Sequence, residues 1–304
     1  MGNRRQVNID LLNFEAQQDS AALIDRAERR YHTQIQDVAR TVDKHKKEQK
    51  FILIAGPSAS GKTTTSVLLQ RQLVKMGVNS ERISLDNFFK AKTETPLLPN
   101  GERDFESVDA LNLDELHTCF TELVRDKRTS IPLFDFKLGR ENGRLPLEIT
   151  NDVLLIEGIH ALNPRIIPPG LSGRFHKIYI SVQTEFEEGG EVILSSKDLR
   201  LLRRMLRDHE ERNSPIPCTM DMWNNVLRGE RSYIRPFRSE ADDVIDSIHV
   251  YEPLVYRDLL LPLLPIHPDC PHARKLSQLR SALQAFGSLS PDAVPEDSLI
   301  QEFI

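Results

Sequence analysis

Cysteine is scarce in this chain. Cys119, Cys218 and Cys270 are the only three among 304 residues, too few and too scattered for a disulfide framework or a paired-cysteine metal site. Long apolar runs are missing too. No eighteen consecutive apolar residues occur, and the opening Met1-Gly-Asn-Arg-Arg-Gln6 leads into polar sequence rather than an apolar signal segment, so neither secretion nor membrane insertion is expected. Nor does one sign of charge dominate: 40 Lys and Arg stand against 45 Asp and Glu, a formal net charge of −5, which offers no global field to nucleic acid or a membrane surface. These absences predict a cytoplasmic protein whose partner is a small molecule, with no nucleic acid and no membrane. They leave a homo-oligomer open.

What is present centres on Gly56-Pro-Ser-Ala-Ser-Gly-Lys62-Thr63, a phosphate-binding loop pattern between the apolar run Phe51–Ala55 and a helical stretch. Gly56 and Gly61 let the backbone turn tightly, so that the main-chain N–H groups of Ser58, Ala59, Ser60 and Gly61, and of Lys62, Thr63 and Thr64 at the start of the helix, converge on negative charge. Lys62 would reach the β- and γ-phosphates and the Thr63 hydroxyl would ligate Mg²⁺, so ATP and Mg²⁺ are the expected cofactors.

Around this loop the chain divides into a helical N-terminal extension over 1–49, a phosphate-loop domain over 50–264 with a lid at about 185–230, and a C-terminal extension over 265–304. Ala22, Leu23, Ala27, Tyr31, Ile35, Val38 and Val42 recur at helical spacing in the first segment. From Phe51 the pattern predicts strands at 51–55, 82–85, 153–157, 177–182 and 243–245, separated by helices. That alternation predicts an α/β fold of the P-loop NTPase type, a mostly parallel sheet with helices on both faces and the ligand at the strands' carboxyl ends. Two polar stretches, 90–109 and 185–196, are expected to be mobile loops or lids. The segment from Pro265 carries one helical stretch near 273–286 and either docks on the main domain or serves an oligomer contact.

Three groups of residues carry the candidate chemistry. Asp86 follows the second strand, where a parallel sheet presents its reactive groups; it is the candidate base for an attacking hydroxyl, or else a helix N-cap. Glu157 ends the buried run Val153-Leu-Leu-Ile-Glu157 and is expected near Mg²⁺, since an unpaired carboxylate at the tip of a buried strand is costly. Arg200, Arg203, Arg204 and Arg207 share one helical stripe, with Leu199, Leu202 and Leu206 opposite. The stripe either closes as a lid over ATP phosphates or is offset by Asp198, Asp208, Glu210 and Glu211. His267, Cys270 and His272 are too few to be read as a zinc site.

The ordered set Gly56–Thr64, Leu85-Asp86-Asn-Phe-Phe89, Asp104-Phe-Glu-Ser-Val-Asp-Ala-Leu111, Pro132-Leu-Phe-Asp-Phe136, Leu155-Ile-Glu-Gly-Ile159 and Asp198–Asp208 resembles the uridine kinase and phosphoribulokinase family, most closely a long bacterial-type member of its uridine–cytidine kinase branch. The resemblance spans roughly residues 50 to 250. It implies that Asp86 activates the acceptor hydroxyl, that Thr63, Glu157 and Asp86 hold or approach Mg²⁺, and that Arg200, Arg203 and Arg207 contact phosphates. It further implies an acceptor site containing Asp86, Phe89, Glu106, Phe134 and Arg200, with catalysis by Asp86, Lys62 and Arg203. Departures lie on the acceptor side: Glu106 stands where uridine kinases carry Asp, Ser107-Val108 where they carry His-Pro, Phe134 where they carry Tyr, and Gly139 where they carry a base-reading His.

The expected function is transfer of the γ-phosphoryl group of ATP to a hydroxyl of a uridine- or cytidine-like nucleoside. A non-nucleoside alcohol or sugar phosphate is the alternative acceptor, for which Lys137, Arg140 and Arg144 would supply cations. The other alternative is a non-catalytic nucleotide-binding protein. A guanine-specific switch is not expected, since no Asn-Lys-x-Asp signature follows the loop.

Overall fold

All five residues of Phe51-Ile-Leu-Ile-Ala55 are buried because this strand lies at the centre of a parallel sheet and has no solvent face. Ile52 and Ile54 enter one core with Leu155, Ile178, Ile180 and Ile245. Phe51, Leu53 and Ala55 enter the other with Leu154, Ile156 and Tyr179. A strand with two apolar faces shows no polar alternation, which is why it reads in sequence as an unbroken run.

The computed structural model describes residues 5–148, 152–171, 175–264 and 270–304. In chain order the elements are β1 (Arg5–Asn8), α1 (Ile9–His45), β2 (Phe51–Ala55), α2 (Lys62–Lys75), β3 (Ser80–Ser84), α3 (Leu113–Arg125), β4 (Arg128–Asp135), β5 (Arg140–Glu148), β6 (Val153–Glu157), β7 (Phe175–Ser181), β8 (Thr184–Glu188), β9 (Glu191–Leu194), α4 (Ser196–Arg212), α5 (Ile216–Gly229), β10 (Asp243–Asp246), α6 (Glu252–Leu260) and α7 (Ala273–Gln284). The central sheet has the order β10-β7-β2-β6-β3 and every neighbouring pair is parallel. All five carboxyl ends therefore lie along one edge. From β2 the chain crosses to β3 at one edge, returns to β6 beside β2, then passes to β7 on the other side of β2 and out to β10. The connections after β2 and β7 thus leave in opposite directions, and the crevice above such a reversal is where α/β sheets bind ligands.

Residues 185–196 are not an irregular loop. They form most of the β8–β9 hairpin, and β1 adds to β8 in parallel, with Val7 opposite Phe186. Phe186 and Leu194 are fully buried, an apolar anchoring hidden in sequence by the intervening glutamates. Residues 128–148 form a second antiparallel hairpin, β4–β5, that the sequence pattern did not single out. Among the described residues no helix is long and apolar enough to cross a membrane.

The flanking segments share the core beneath the phosphate loop. Leu23, Tyr31 and Ile35 of α1 pack in the same cluster as Leu69 and Leu73 of α2, Leu202 of α4, and Leu299, Ile300 and Phe303. Glu28 ties α1 to residues 249–251 and to the C-terminal segment, accepting hydrogen bonds from Tyr251 and Ser298, each at 2.6 Å, and from His249 Nε2 at 3.2 Å. Burial opposes its charge, but the bonds and charge of His249 and the two hydroxyls outweigh burial and hold its carboxyl at about 2. A depressed acid stabilises the fold above its ordinary value of 4.5, and that contribution is lost as pH falls toward 2. Glu28→Gln should therefore cost about 1–3 kcal/mol at pH 7. In paired urea melts at pH 7 and pH 3 the gap between native and variant should narrow in acid; equal midpoints at pH 7 would refute the network's role.

Candidate active site

β2 runs directly into the phosphate loop, and the loop's close approach to β7 requires glycine. A Cβ on Gly56 would lie 2.2 Å from the Ile180 carbonyl oxygen. Gly61 has φ +82°, and Ala59 also adopts a left-handed backbone at φ 56°, unusual for a residue with a side chain and typical of strain held at functional loops. Arginines of α4 hold the loop from outside. Arg200 Nε donates to Ser58 O at 2.9 Å, Arg204 Nη1 to Ser58 Oγ at 2.8 Å and Arg203 Nη1 to Ala59 O at 3.4 Å. With these oxygens engaged from outside, the positive N-terminal end of α2 faces the cleft. Lys62 Nζ rests on Pro57 O at 3.1 Å.

Strand register brings the carboxylates to the loop. Glu157 sits opposite Ile54 on one side and Ser84 on the other, so the acidic tip of β6 lies between the root of the loop and the end of β3. Asp86 follows two residues after Ser84. Ser84 caps the 3₁₀ turn Leu85–Phe88 by accepting from Asp86 N at 3.3 Å, so the N-cap role belongs to Ser84 and not to the Asp86 carboxylate.

Lys62, Asp86 and Glu157 perturb one another. Asp86 is exposed, but enclosure by protein pushes its carboxyl above the usual range, against the charges of Lys62 and Arg207. Burial and then the neighbouring Asp86 push Glu157 up as well. Burial pulls the Lys62 amine down, while Glu157, Asp86 and Glu302 oppose that shift. Two crowded carboxylates beside Lys62 make a setting that a divalent cation would relieve. Among the described residues no three His, Cys, Asp or Glu side chains form a metal site by themselves. This suits Mg²⁺, which takes one or two carboxylates and completes its shell with phosphate oxygens and water.

The arginine stripe divides by partner. Arg203 is fully buried and does not face the phosphate cleft: Nε and Nη2 each meet Glu252 at 2.7 Å, and Nη2 also donates to Ser247 O at 2.9 Å. Its expected direct phosphate contact is thereby corrected, because its donors are committed inside the core. Arg200 pairs with Glu230 at 2.8 Å besides clamping the loop. Arg204 pairs with Asp208 at 3.1 Å. Arg207 exerts its charge on Lys62 and Asp86, so it borders the cleft. Of the four acids expected to offset the stripe, Asp208 does so; Glu230, Glu252 and Glu302 come from distant sequence.

On the β3 flank, Phe89, Phe134 and Phe136 form an aromatic trio with ring centroids 5.0 to 5.9 Å apart. Asp104 accepts from Arg228 at 3.0 Å and from Tyr233 at 3.4 Å, tying this flank to the end of α5 and the segment after it. Glu106 lies under Gly229, where an added Cβ would come within 2.3 Å of the Glu106 Cβ. Burial pushes the Glu106 carboxyl up to about 7, with Arg204 and Lys62 opposing. His160, buried nearby, is pulled down to about 4 by burial and stays neutral at physiological pH. On the opposite, β7 flank, a cavity of about 620 Å³ beside Pro57 is lined by Lys197, Arg200, Arg235 and Arg238.

The model of the phosphoribulokinase / uridine kinase family matches residues 51–252. The chain belongs to this family. It is 29% identical over 204 residues to uridine kinase-like protein 5 of Arabidopsis thaliana, covering 65% of this chain and 39% of the plant protein. It thus spans about two fifths of that relative. Against the uridine kinase of Halobacterium salinarum it is 27% identical over 195 residues, covering 63% of this chain and 77% of the archaeal one. Among solved structures, a candidate fructose transport system kinase from Silicibacter sp. TM1040 aligns with TM-score 0.53 and 19% identity over 69% of this chain and 98% of that one. A possible uridine kinase from Bacillus stearothermophilus aligns with TM-score 0.50 and 16% identity, over 70% and 98%. These structures share the α/β fold of P-loop kinases.

Within the family frame several site residues were not singled out from sequence. Asp104, Arg228, Tyr233 and Gly229 line or brace the β3 flank, Glu230 pairs with Arg200 beside the β7-flank cavity, and Glu302 reaches the loop from far along the chain. Only Asp104, inside a family motif, carried a signal. Of the three cations expected to serve a phosphorylated acceptor, Arg144 is held by Glu115 at 2.7 Å and by Ser130 O at 2.6 Å. His272 pairs with Asp221 at 2.7 Å, and His267 lies outside the described residues.

Proposed function

We propose that this chain is a cytoplasmic, ATP-dependent kinase that transfers the γ-phosphoryl group to a hydroxyl of a nucleoside-like acceptor, its kinase domain spanning 50–264 and braced by the flanking segments. The observation that carries this reading is the Asp86 carboxylate, left uncommitted by the Ser84 cap at the sheet edge shared with Glu157 and the phosphate loop. A carboxyl raised above its usual range is a better base, and Asp86 would take the acceptor proton as the hydroxyl attacks. Lys62 and Arg207 would stabilise charge on the transferring group. The main-chain N–H groups from Ser58 through Thr64 would cradle the phosphates. Thr63 and Glu157 would hold Mg²⁺, which when bound offsets phosphate charge, leaving Asp86 for the acceptor. Arg203 serves by bracing Ala59, and Arg200 by holding Ser58.

Phe89, Phe134 and Glu106 would form the acceptor site, the rings offering faces to a planar base and the carboxylate accepting bonds from adjacent hydroxyls. Of the cations a phosphorylated acceptor would use, Arg144 is already engaged by Glu115, which favours an unphosphorylated acceptor. Glu106 supplies the test. Below about 7 its carboxyl carries a proton and accepts fewer hydroxyl bonds, so kcat/KM for a nucleoside acceptor should rise through that pH. Glu106→Gln should lower kcat/KM about tenfold, the loss of roughly one charge-assisted bond, and flatten the profile. A variant that keeps the native rise would remove Glu106 from the site.

A further inference from the structure

Residues 299–304 fold back across the first turn of α2. Leu299 and Ile300 are fully buried, and the Phe303 ring lies under the Arg203 guanidinium at 5.0 Å. Leu299 fills the space over Gly61, where an added Cβ would meet its Cδ1 at 2.4 Å. That seat aims Glu302 at the phosphate loop. Its Oε2 accepts from Thr64 Oγ1 at 2.6 Å and from Thr64 N at 3.3 Å, and its Oε1 lies 3.9 Å from Arg207 Nη1. Its charge also acts on Lys62.

A main-chain N–H and a hydroxyl at a helix N-terminus, facing an arginine and a lysine, form the donor set a phosphate oxygen needs. Lys62 serves the β- and γ-phosphates, which leaves Thr64, two residues further along α2, for the α-phosphate. A carboxylate and a phosphate cannot both occupy Thr64: they would compete for the same hydrogens and repel each other. We propose that Glu302 is an intramolecular occupant of the α-phosphate position, a residue that sets nucleotide affinity by competing for Thr64. The inference rests on reading the loop as a nucleotide site. Only the Glu302 side chain need leave, because Leu299, Ile300 and Phe303 hold the backbone in the core.

When a site is free only part of the time, apparent affinity falls by the free fraction. Glu302→Gln keeps the shape and removes the charge. By calorimetry AMP, ADP and ATP should each bind the variant about tenfold more tightly than the native chain, or about 1.4 kcal/mol. Adenosine, which has no α-phosphate, should be unaffected. Glu302→Ala should behave alike, with folding of both variants checked by thermal melts. A second readout uses the native chain: saturating ADP should slow hydrogen exchange in residues 62–66 and leave residues 299–304 unchanged, because the backbone there stays in the core. Equal ADP affinity in native and variant chains, an equal gain for adenosine, or slower exchange in both segments would overturn the role of Glu302. Absence of ADP and ATP binding in every chain would instead overturn the nucleotide site itself.

Discussion

Asp86→Asn should lower kcat by about 10²- to 10⁴-fold, the usual worth of a positioned base, with the KM for ATP little changed. The variant isolates chemistry from folding. Ser84, not Asp86, caps the turn through the Asp86 main-chain N–H, and asparagine keeps that N–H. Asparagine matches the carboxylate in size and cannot take a proton. Acceptor-dependent ADP release by purified native and variant protein is the measurement. A variant within a few-fold of native kcat would mean that another group removes the acceptor proton.

Glu252→Gln should destabilise the fold more than Glu28→Gln does. Arg203 and Glu252 are both fully buried and joined by two 2.7 Å contacts, so removing one charge strands the other in a low dielectric. Breaking such a pair costs about 3–5 kcal/mol, a large part of the 5–15 kcal/mol that holds a typical domain together. Burial disfavours the Arg203 charge, but Glu252 overcomes this and holds the guanidinium above its usual range. Urea unfolding should show a lower midpoint for Glu252→Gln. The double change Arg203→Met with Glu252→Leu should recover most of the loss, because it leaves no unpaired buried charge. An unchanged midpoint in the single variant would show that the pair contributes little.

These residues also mark what sequence could and could not reveal. Asp86 was legible because it follows a strand in a short motif, and the loop because its glycines, lysine and threonine lie within eight residues. The strands 51–55 and 153–157 were legible as unbroken apolar runs. Arg203 was misread because helical periodicity gives the face of a side chain but not what covers that face; its partner lies 49 positions away. Glu302 was invisible for the same reason, separated from Thr64 by 238 positions. The β8–β9 hairpin was hidden because its alternation is short and most of its outward residues are glutamates.

Whether the loop and Asp86 together move a phosphoryl group to a small hydroxyl acceptor is tested most directly by single-turnover reaction with γ-labelled ATP. The acceptors are a panel of nucleosides, unphosphorylated polyols and sugar phosphates. Label should become covalently attached to the acceptor, fastest with a nucleoside and slowest with the phosphorylated compounds. Label that stays in ATP, or emerges as inorganic phosphate at a rate indifferent to every acceptor, would contradict that role for the loop and Asp86.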